Sequence, residues 1–216
     1  NAGVRFAVRE NQADYVLISN PDVVFSEKCL KKMLHVFESH PDVAAVTARM
    51  EDARYGTQKN AWPLRGFWGE LLSMGPVSRR LFRPFLEYPE RRFQGKKAVY
   101  TDAVHGSLFL VDGKKFLTCG GYDEGIFLYQ EEAVLAQRFR KAGYRSVLLL
   151  NCSYRHEHSV SISKSFQGEL ERQRLREESV LYYMQNYLSA GAWKIRVAKC
   201  WFWGIRMEIR AVRMAE

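Results

Sequence analysis

The stretch from Gly120 to Arg138 constrains the chain more than any other: it reads Gly-Gly-Tyr-Asp-Glu-Gly-Ile-Phe-Leu-Tyr-Gln-Glu-Glu-Ala-Val-Leu-Ala-Gln-Arg. The glycine pair frees the backbone to turn, Asp123-Glu124-Gly125 continues the turn, and the run Ile126 to Tyr129 calls for burial. Leu135, Phe139 and Ala142 then recur at i, i+4 and i+7 before Gly143, which predicts a helix ending at that glycine. Glu131 and Glu132 fall in its first turn, at the lip of a packed core. Two readings stand side by side. Acids are favoured at a helix start by the helix dipole, and adjacent carboxylates also suit acid–base chemistry.

The rest of the chain alternates strands and helices. Val4, Ala7 and Val8 give a short helical face, and Tyr15-Val16-Leu17-Ile18 is an apolar run of buried-strand type. That run ends in Ser19-Asn20-Pro21-Asp22, either an ordinary Asn-Pro turn or a carboxylate presented at a strand end, where open α/β sheets bind ligands. Ser26 is the predicted N-cap of a helix carrying Leu30, Met33, Leu34 and Phe37 and ending near His40-Pro41. Val43 to Thr47, Ala98 to Thr101, Val104 to Val111 and Arg145 to Leu150 read as further strands, and Lys114-Lys115-Phe116 as a helix. His35 and His40 read as surface residues.

Between Ala61 and Lys97 the period dissolves into aromatics and arginines. So long an insertion suits a functional segment, and its ring content argues against disorder. A helical excursion packed on the domain, a single-stranded nucleic-acid surface, a membrane surface and an acceptor groove all fit it. Beyond residue 166 the chain is helical and basic. Ile195, Ala198, Phe202, Ile205, Ile209 and Val212 form an apolar stripe beside Arg196, Lys199, Arg206, Arg210 and Arg213, with Trp193, Trp201 and Trp203 on the same segment. That pattern suits an anionic membrane surface, and equally docking on the protein's own core or on a second subunit.

With 216 residues, 47% of them hydrophobic, the chain can bury one substantial core. No apolar run approaches the roughly 20 residues that span a bilayer, and the polar start leads us to expect no signal peptide. Cys29, Cys119, Cys152 and Cys200 form no C-x-x-C pair and read as reduced, mostly buried thiols of a cytosolic protein. The net charge of +9 points to an anionic partner.

The Gly120 stretch resembles the acceptor-side motif of family 2 glycosyltransferases, G-G-[FY]-D-E-x-[FY]-F-x-Y-x-E-D-x-D-L-x-x-R. It matches at Gly120, Gly121, Tyr122, Asp123, Glu124, Phe127, Tyr129, Glu131, Leu135 and Arg138. Glu132 stands where Asp is common, and Val134 replaces a second acid. Ala13 to Asp22 is similar to the family's strand A-D-Y-[IVL]-L-x-L-N-P-D, Asn1-x-Gly3 to the N-x-G that opens the preceding helix, and Val104 to Val111 to the strand [VC]-x-G-[AS]-x-[ML]-L-[VI]. His156 and Ser161 keep the spacing of V-x-H-x-x-x-x-S, with His158 extra. Gln173-x-x-Arg176 is similar to the Q-x-x-R-W of processive synthases, but Glu177 replaces the tryptophan and no membrane spans accompany it, which excludes processivity.

The resemblance implies an α/β fold of GT-A type: a Rossmann-like mixed sheet flanked by helices, with N-terminal strand–helix units missing and a helical C-terminal tail. Residues 1–165 would be the metal and acceptor side of that domain, and 166–216 a basic amphipathic tail. About 60 residues of nucleotide-binding sequence would precede Asn1 at roughly 30 per strand–helix unit, and Tyr15 to Ile18 would be left as an apolar sheet edge.

The implied reaction is inverting transfer from a nucleotide-diphosphate sugar to a glycan or lipid-linked acceptor in polysaccharide assembly, with rhamnosyltransferases the nearest subgroup. Glu132 would be the base with Glu131 beside it. Asn20 and Asp22 would meet the donor, and Asp22 with His156 would hold Mn2+ or Mg2+. His105, Gly106, Ser107, Gly121, Tyr122, Asp123 and Glu124 would line the acceptor. The expected location is cytoplasmic, peripheral at the inner face of the membrane, with self-association open and no nucleic acid expected. A non-catalytic remnant that binds acceptor or membrane is the first rival, and a basic nucleic-acid-binding module the second.

Overall fold

The computed structural model describes residues 1–52, 56–58, 60–157 and 168–215. The described helices are α1 (Ala2–Arg9), α2 (Glu27–Ser39), α3 (Phe67–Met74), α4 (Pro76–Leu81), α5 (Arg83–Leu86), α6 (Gly113–Thr118), α7 (Glu131–Lys141), α8 (Glu169–Asn186) and α9 (Ala192–Ala215). The strands are β1 (Tyr15–Ser19), β2 (Val23–Phe25), β3 (Val43–Asp52), β4 (Gly56–Gln58), β5 (Ala61–Trp62), β6 (Ala98–Thr101), β7 (Ala103–Val104), β8 (Leu108–Asp112) and β9 (Arg145–His156).

The chain divides into two compact units. The first comprises Asn1–Leu64, Pro89–Asp123 and the segment from Glu132 to the end of β9. The second comprises Arg65–Tyr88, Glu124–Glu131 and the two C-terminal helices.

The first unit is built on a mixed sheet of order β1-β8-β3-β9-β2, with β4 added to β3 and β6 to β9. Among the described strands only β3 and β9 run parallel; the other pairings are antiparallel. Valines, leucines and alanines of β3, β8 and β9 are buried, with Cys29, Met33 and Phe37 of α2 packed over them. The Ser26 hydroxyl caps α2 as expected, accepting the Cys29 N–H at 3.2 Å.

Tyr15 to Ile18 is a strand but not a fully buried one. It is bonded to β8 at one end of the sheet order, and its side chains are half-buried or exposed. The thiols depart from expectation too: all four are free, but only Cys29 is buried and Cys200 is exposed.

The second unit has its own apolar centre. Phe67 and Leu71 of α3 meet Val180 and Met184 of α8 and Ile195, Ala198, Phe202 and Ile205 of α9. The apolar stripe of the tail is therefore spent on this core. Much of the aromatic–arginine insertion takes the form of three short helices in the same unit. None of the described helices is long and apolar enough to cross a membrane.

Candidate active site

The register of β2 against β9 builds one end of the site. Val23 pairs with His156, and the Glu157 N–H continues the ladder to the Asp22 carbonyl at 3.0 Å. Asp22, one residue before the strand, is thereby set beside the last residue of β9. His156 Nε2 lies 3.2 Å from Asp22 Oδ1, and the His156 side chain is only 6% exposed. Asn20, on the same turn, is exposed, and its N–H bonds the Ser107 carbonyl at 2.8 Å.

From His156 the site runs to the segment His105-Gly106-Ser107. The His105 and His156 rings meet edge to face with centroids 6.2 Å apart, and Trp62 meets His105 from 6.5 Å. The Ser107 N–H donates to His105 Nδ1 at 3.1 Å, with Ser107 Oγ at 2.9 Å. An Nδ1 that accepts an N–H places the proton of the neutral ring on Nε2. Ser107 is 1% exposed, and its Oγ lies 2.6 Å from the Tyr154 hydroxyl. Burial pushes that phenol up to about 12. The Asn60 amide donates to Tyr154 Oη at 3.1 Å and to Thr47 Oγ1 at 3.3 Å, and Thr47 donates to the Leu108 carbonyl. This neutral network holds the loop before β8 from behind.

Glu132 closes the other end. Its Oε1 accepts the Gly106 N–H at 3.1 Å. A Cβ added at Gly106 would stand 2.9 Å from that same oxygen, so the glycine leaves room for the carboxylate. One three-residue segment thus touches the Asp22–His156 pair through His105, the polar network through Ser107, and Glu132 through Gly106.

The remaining predicted residues brace the motif. Gly120 and Gly121 have φ of 87° and 58°, and Gly121 sits where a Cβ would lie 2.6 Å from Asn1 Oδ1. The Asn1 amide accepts the Tyr122 N–H at 2.9 Å and donates to the Tyr122 carbonyl at 2.8 Å. Arg138 returns from α7 to the Gly120 and Gly121 carbonyls at 2.7 and 2.8 Å and to Asp123 at 3.5 Å. The first-turn helix that carries the acids is as expected, but the run before it is not buried throughout: Phe127 is 80% exposed.

Glu124, exposed, and Glu131 belong to the second unit. Tyr129 and Gln130, with φ of 68° and 67°, are non-glycine residues in the left-handed region immediately before Glu131. Such conformations cost on the order of 1 kcal/mol or more each. Arg176 stacks over the Tyr129 ring at 4.9 Å, Ser179 bonds the Leu128 carbonyl, and Gln130 donates to Glu70 at 3.3 Å. Burial pushes the Glu131 carboxyl above its usual range, and its Oε2 has no hydrogen-bond partner among the described residues.

His158 and Ser161 lie outside the described residues. Among the described residues no group of three or more His, Cys, Asp or Glu is placed to hold a metal. Thr47, Asn60 and Tyr154 were missed by sequence reasoning. The one available signal was that Tyr154 and His156 alternate on a strand and so share a face.

No protein-family model matches the chain. It is similar to N-acetylglucosaminyl-diphospho-decaprenol L-rhamnosyltransferase of Mycobacterium tuberculosis, 26% identical over 156 residues that make up 70% of this chain and 49% of that protein. It is also similar to rhamnosyltransferase WbbL of Escherichia coli K12, 27% identical over 155 residues, 67% of this chain and 52% of that one. The chain therefore spans about half the length of these relatives. Among solved structures, the mannosyltransferase PcManGT from Pyrobaculum calidifontis, in complex with GDP-Man and Mn2+, superposes on 99% of this chain and 53% of its own. The TM-score is 0.50 at 14% identity. The fold is a mixed α/β fold of GT-A glycosyltransferase type, distantly similar in sequence to rhamnosyltransferases.

Proposed function

We propose that this chain carries the acceptor and metal side of an inverting glycosyltransferase, which moves a sugar from a nucleotide-diphosphate donor to an acceptor hydroxyl. Both relatives named above are rhamnosyltransferases, and rhamnosyl transfer in polysaccharide or glycolipid assembly is the donor class we assign. The observation that carries the reading is Glu132, a first-turn carboxylate whose Oε1 is held by the Gly106 N–H at 3.1 Å. Glu132 takes the proton of the acceptor hydroxyl, and the Gly106 N–H fixes which oxygen faces it. Glu131, with its carboxyl pushed up by burial, orients the acceptor. Gly121, Tyr122, Asp123 and Glu124 shape the acceptor side from the loop that Arg138 and Asn1 brace.

Asp22 and His156 present one carboxylate oxygen and one imidazole nitrogen side by side, a donor set whose chemistry fits Mn2+ or Mg2+. The bound cation would stabilise negative charge on the leaving diphosphate. Asn20, exposed on the same turn, would meet the donor.

Glu132→Gln is expected to cut transfer by about 100-fold or more in the protein that carries this chain, with donor affinity unchanged. Transfer rate and donor dissociation constant are measured together; transfer within about tenfold of wild type moves the base elsewhere. Asp22→Ala and His156→Ala should each raise the Mn2+ concentration needed for half-maximal transfer. Unchanged demand in both variants would remove them from the metal site.

A further inference from the structure

The last helix is apolar on two opposite faces. Its inner stripe, Ile195, Ala198, Phe202 and Ile205, is buried against α3 and α8. On the far side, Trp193, Val197, Cys200, Gly204 and Met207 follow at steps of four, three, four and three residues, which aligns them along one face of a helix. They are exposed: Trp193 by 58% and Met207 by 43%. Trp68 of α3 widens the strip, its ring 6.3 Å from that of Trp193. A helix serving only its own core carries polar residues across its outer face, whereas here the exposed charges keep to one flank and an apolar strip runs beside them.

Charge decides what covers it. Arg196, Lys199 and Arg210 are exposed along one flank of the outer stripe, with the exposed indole of Trp203 among them. Between residues 192 and 210 the only acid is Glu208, against Lys194, Arg196, Lys199, Arg206 and Arg210. A second copy docked antiparallel through the same stripe would bring these cations face to face, a repulsive pairing. A nucleic acid would use the flank but leave Val197 and Met207 in water. Tryptophans beside a basic flank fit the headgroup boundary of an anionic bilayer, where each Lys or Arg near the surface strengthens binding about fivefold.

We propose that the outer face of α9, extended by Trp68, is a docking surface for anionic lipid. The helix lies in the membrane plane with its tryptophans at the headgroup level, while its inner stripe stays in the protein core. The proposal stands independently of the sugar-transfer reading, because lipid binding needs neither Glu132 nor a donor.

Vesicle flotation of the whole chain tests it, since floating with lipid separates binding from pelleted aggregate. Vesicles of phosphatidylcholine with phosphatidylglycerol are expected to carry the protein up, and phosphatidylcholine alone is not. Arg196→Gln and Arg210→Gln should each weaken binding about fivefold. Trp193→Glu with Trp203→Glu should abolish it while circular dichroism stays unchanged. Brominated acyl chains should quench tryptophan emission in the wild type. Val77, Leu81 and Phe85 are also exposed in the same unit, near Arg79 and Arg80, and supply an internal rival. Flotation lost in Leu81→Ser/Phe85→Ser but kept in the tryptophan variant overturns the proposal. So does flotation indifferent to lipid charge, or a dimer on size exclusion that Trp193→Glu dissolves while no vesicle binding is seen.

Discussion

Behind the Glu132 loop and within the helical unit, polar groups are buried in different ways. In the first, Thr47, Asn60, Ser107 and Tyr154 are neutral and hydrogen-bonded to one another or to backbone. In the second, the buried polar groups include carboxylates. Glu70 is 2% exposed with Arg65 3.9 Å away, and Glu177 is 4% exposed between Gln173 and Arg206. Burial pushes both carboxyls above the usual range, and their cationic and amide partners pull them back only in part. The hydroxyl and amide members of the first network do not themselves titrate below the tyrosine range. Buried carboxylates hold elements together in a way that pH does disturb. The neutral network stands behind the loop that bonds Glu132. The charged groups hold α3, α8, α9 and the left-handed step before Glu131.

The sharpest way to break the contrast is to remove the hub of the neutral network. Asn60 Oδ1 accepts the Met50 N–H at 3.1 Å, its amide reaches Thr47 and Tyr154, and its carbonyl accepts the His105 N–H at 2.9 Å. Asn60→Ala strands the buried Met50 N–H and takes one hydrogen bond each from the Tyr154 and Thr47 hydroxyls. It should cost about 2–4 kcal/mol, read by urea denaturation, since an unsatisfied buried group costs roughly 1–3 and each lost hydrogen bond about 1. Tyr154→Phe removes one group and should cost less. A change below about 0.5 kcal/mol for Asn60→Ala, the size of an ordinary surface substitution, would mean the network does not hold the loop.

A smaller loss is expected from the charged side. Arg206→Ala leaves the Glu177 carboxylate with Gln173 as its remaining side-chain hydrogen-bond partner among the described residues. The full penalty for orphaning a buried charge, about 3–5 kcal/mol, is reduced here because the Arg206 side chain is 27% exposed and the pair is partly screened. About 1–2 kcal/mol is the expected cost. Glu177→Gln should recover part of it in the Arg206→Ala background, because an amide needs no counter-ion. Failure of that rescue would show that Arg206 acts through packing of its stem rather than its charge.

How much of this was legible in the sequence follows from distance along the chain. Strands β1, β3, β6, β8 and β9 announce themselves as apolar runs, and α2 through Ser26 and its i, i+3, i+4, i+7 residues. The continuation of β9 beyond Leu150 did not, because Asn151-Cys152-Ser153 interrupts the apolar run where the pairing with β3 shifts register. Strand β2 is three residues long and follows an Asn-Pro turn, so it reads as part of the turn. Helices α4 and α5, of six and four residues, are too short to show a period. The motif fixed the neighbourhood of Glu132, but the contact from Glu132 to Gly106 spans 26 positions and that from Asn60 to Tyr154 spans 94. No local pattern encodes such pairs. The tail shows the converse failure: its apolar stripe was plain, but the sequence could not choose between membrane and core. The stripe left facing outward drew no notice because Cys200 and Gly204 interrupt its aromatic and aliphatic members.

The smallest predicted effect is the most direct reading of the contrast between units. The ordinary value for Glu70 is 4.5, and burial raises it in the folded protein. Between 4.5 and the raised value the folded state binds more protons than the unfolded state. Stability therefore falls as pH rises through that window, and is fully retained below 4.5, where both states are protonated. Glu131 and Glu177 are shifted the same way, so they add to the slope rather than cancel it. The share of stability these three carboxyls supply should thus fall from pH 4.5 toward neutrality, and with it their contribution to the melting temperature. Glu70→Gln should remove Glu70's share of that drop while keeping the side chain's shape and an oxygen for the Gln130 amide. Tyr154→Phe should lower the melting temperature by the same amount at every pH in the range, because its phenol, at about 12, does not titrate there. If Glu70→Gln leaves the drop intact, Arg65 offsets burial in full; if it steepens the drop, Arg65 outweighs burial. Glu70 would then be a conventional ion pair, stabilising at neutral pH and lost as pH falls, and the second unit would still rest on a titratable contact where the network of the first does not.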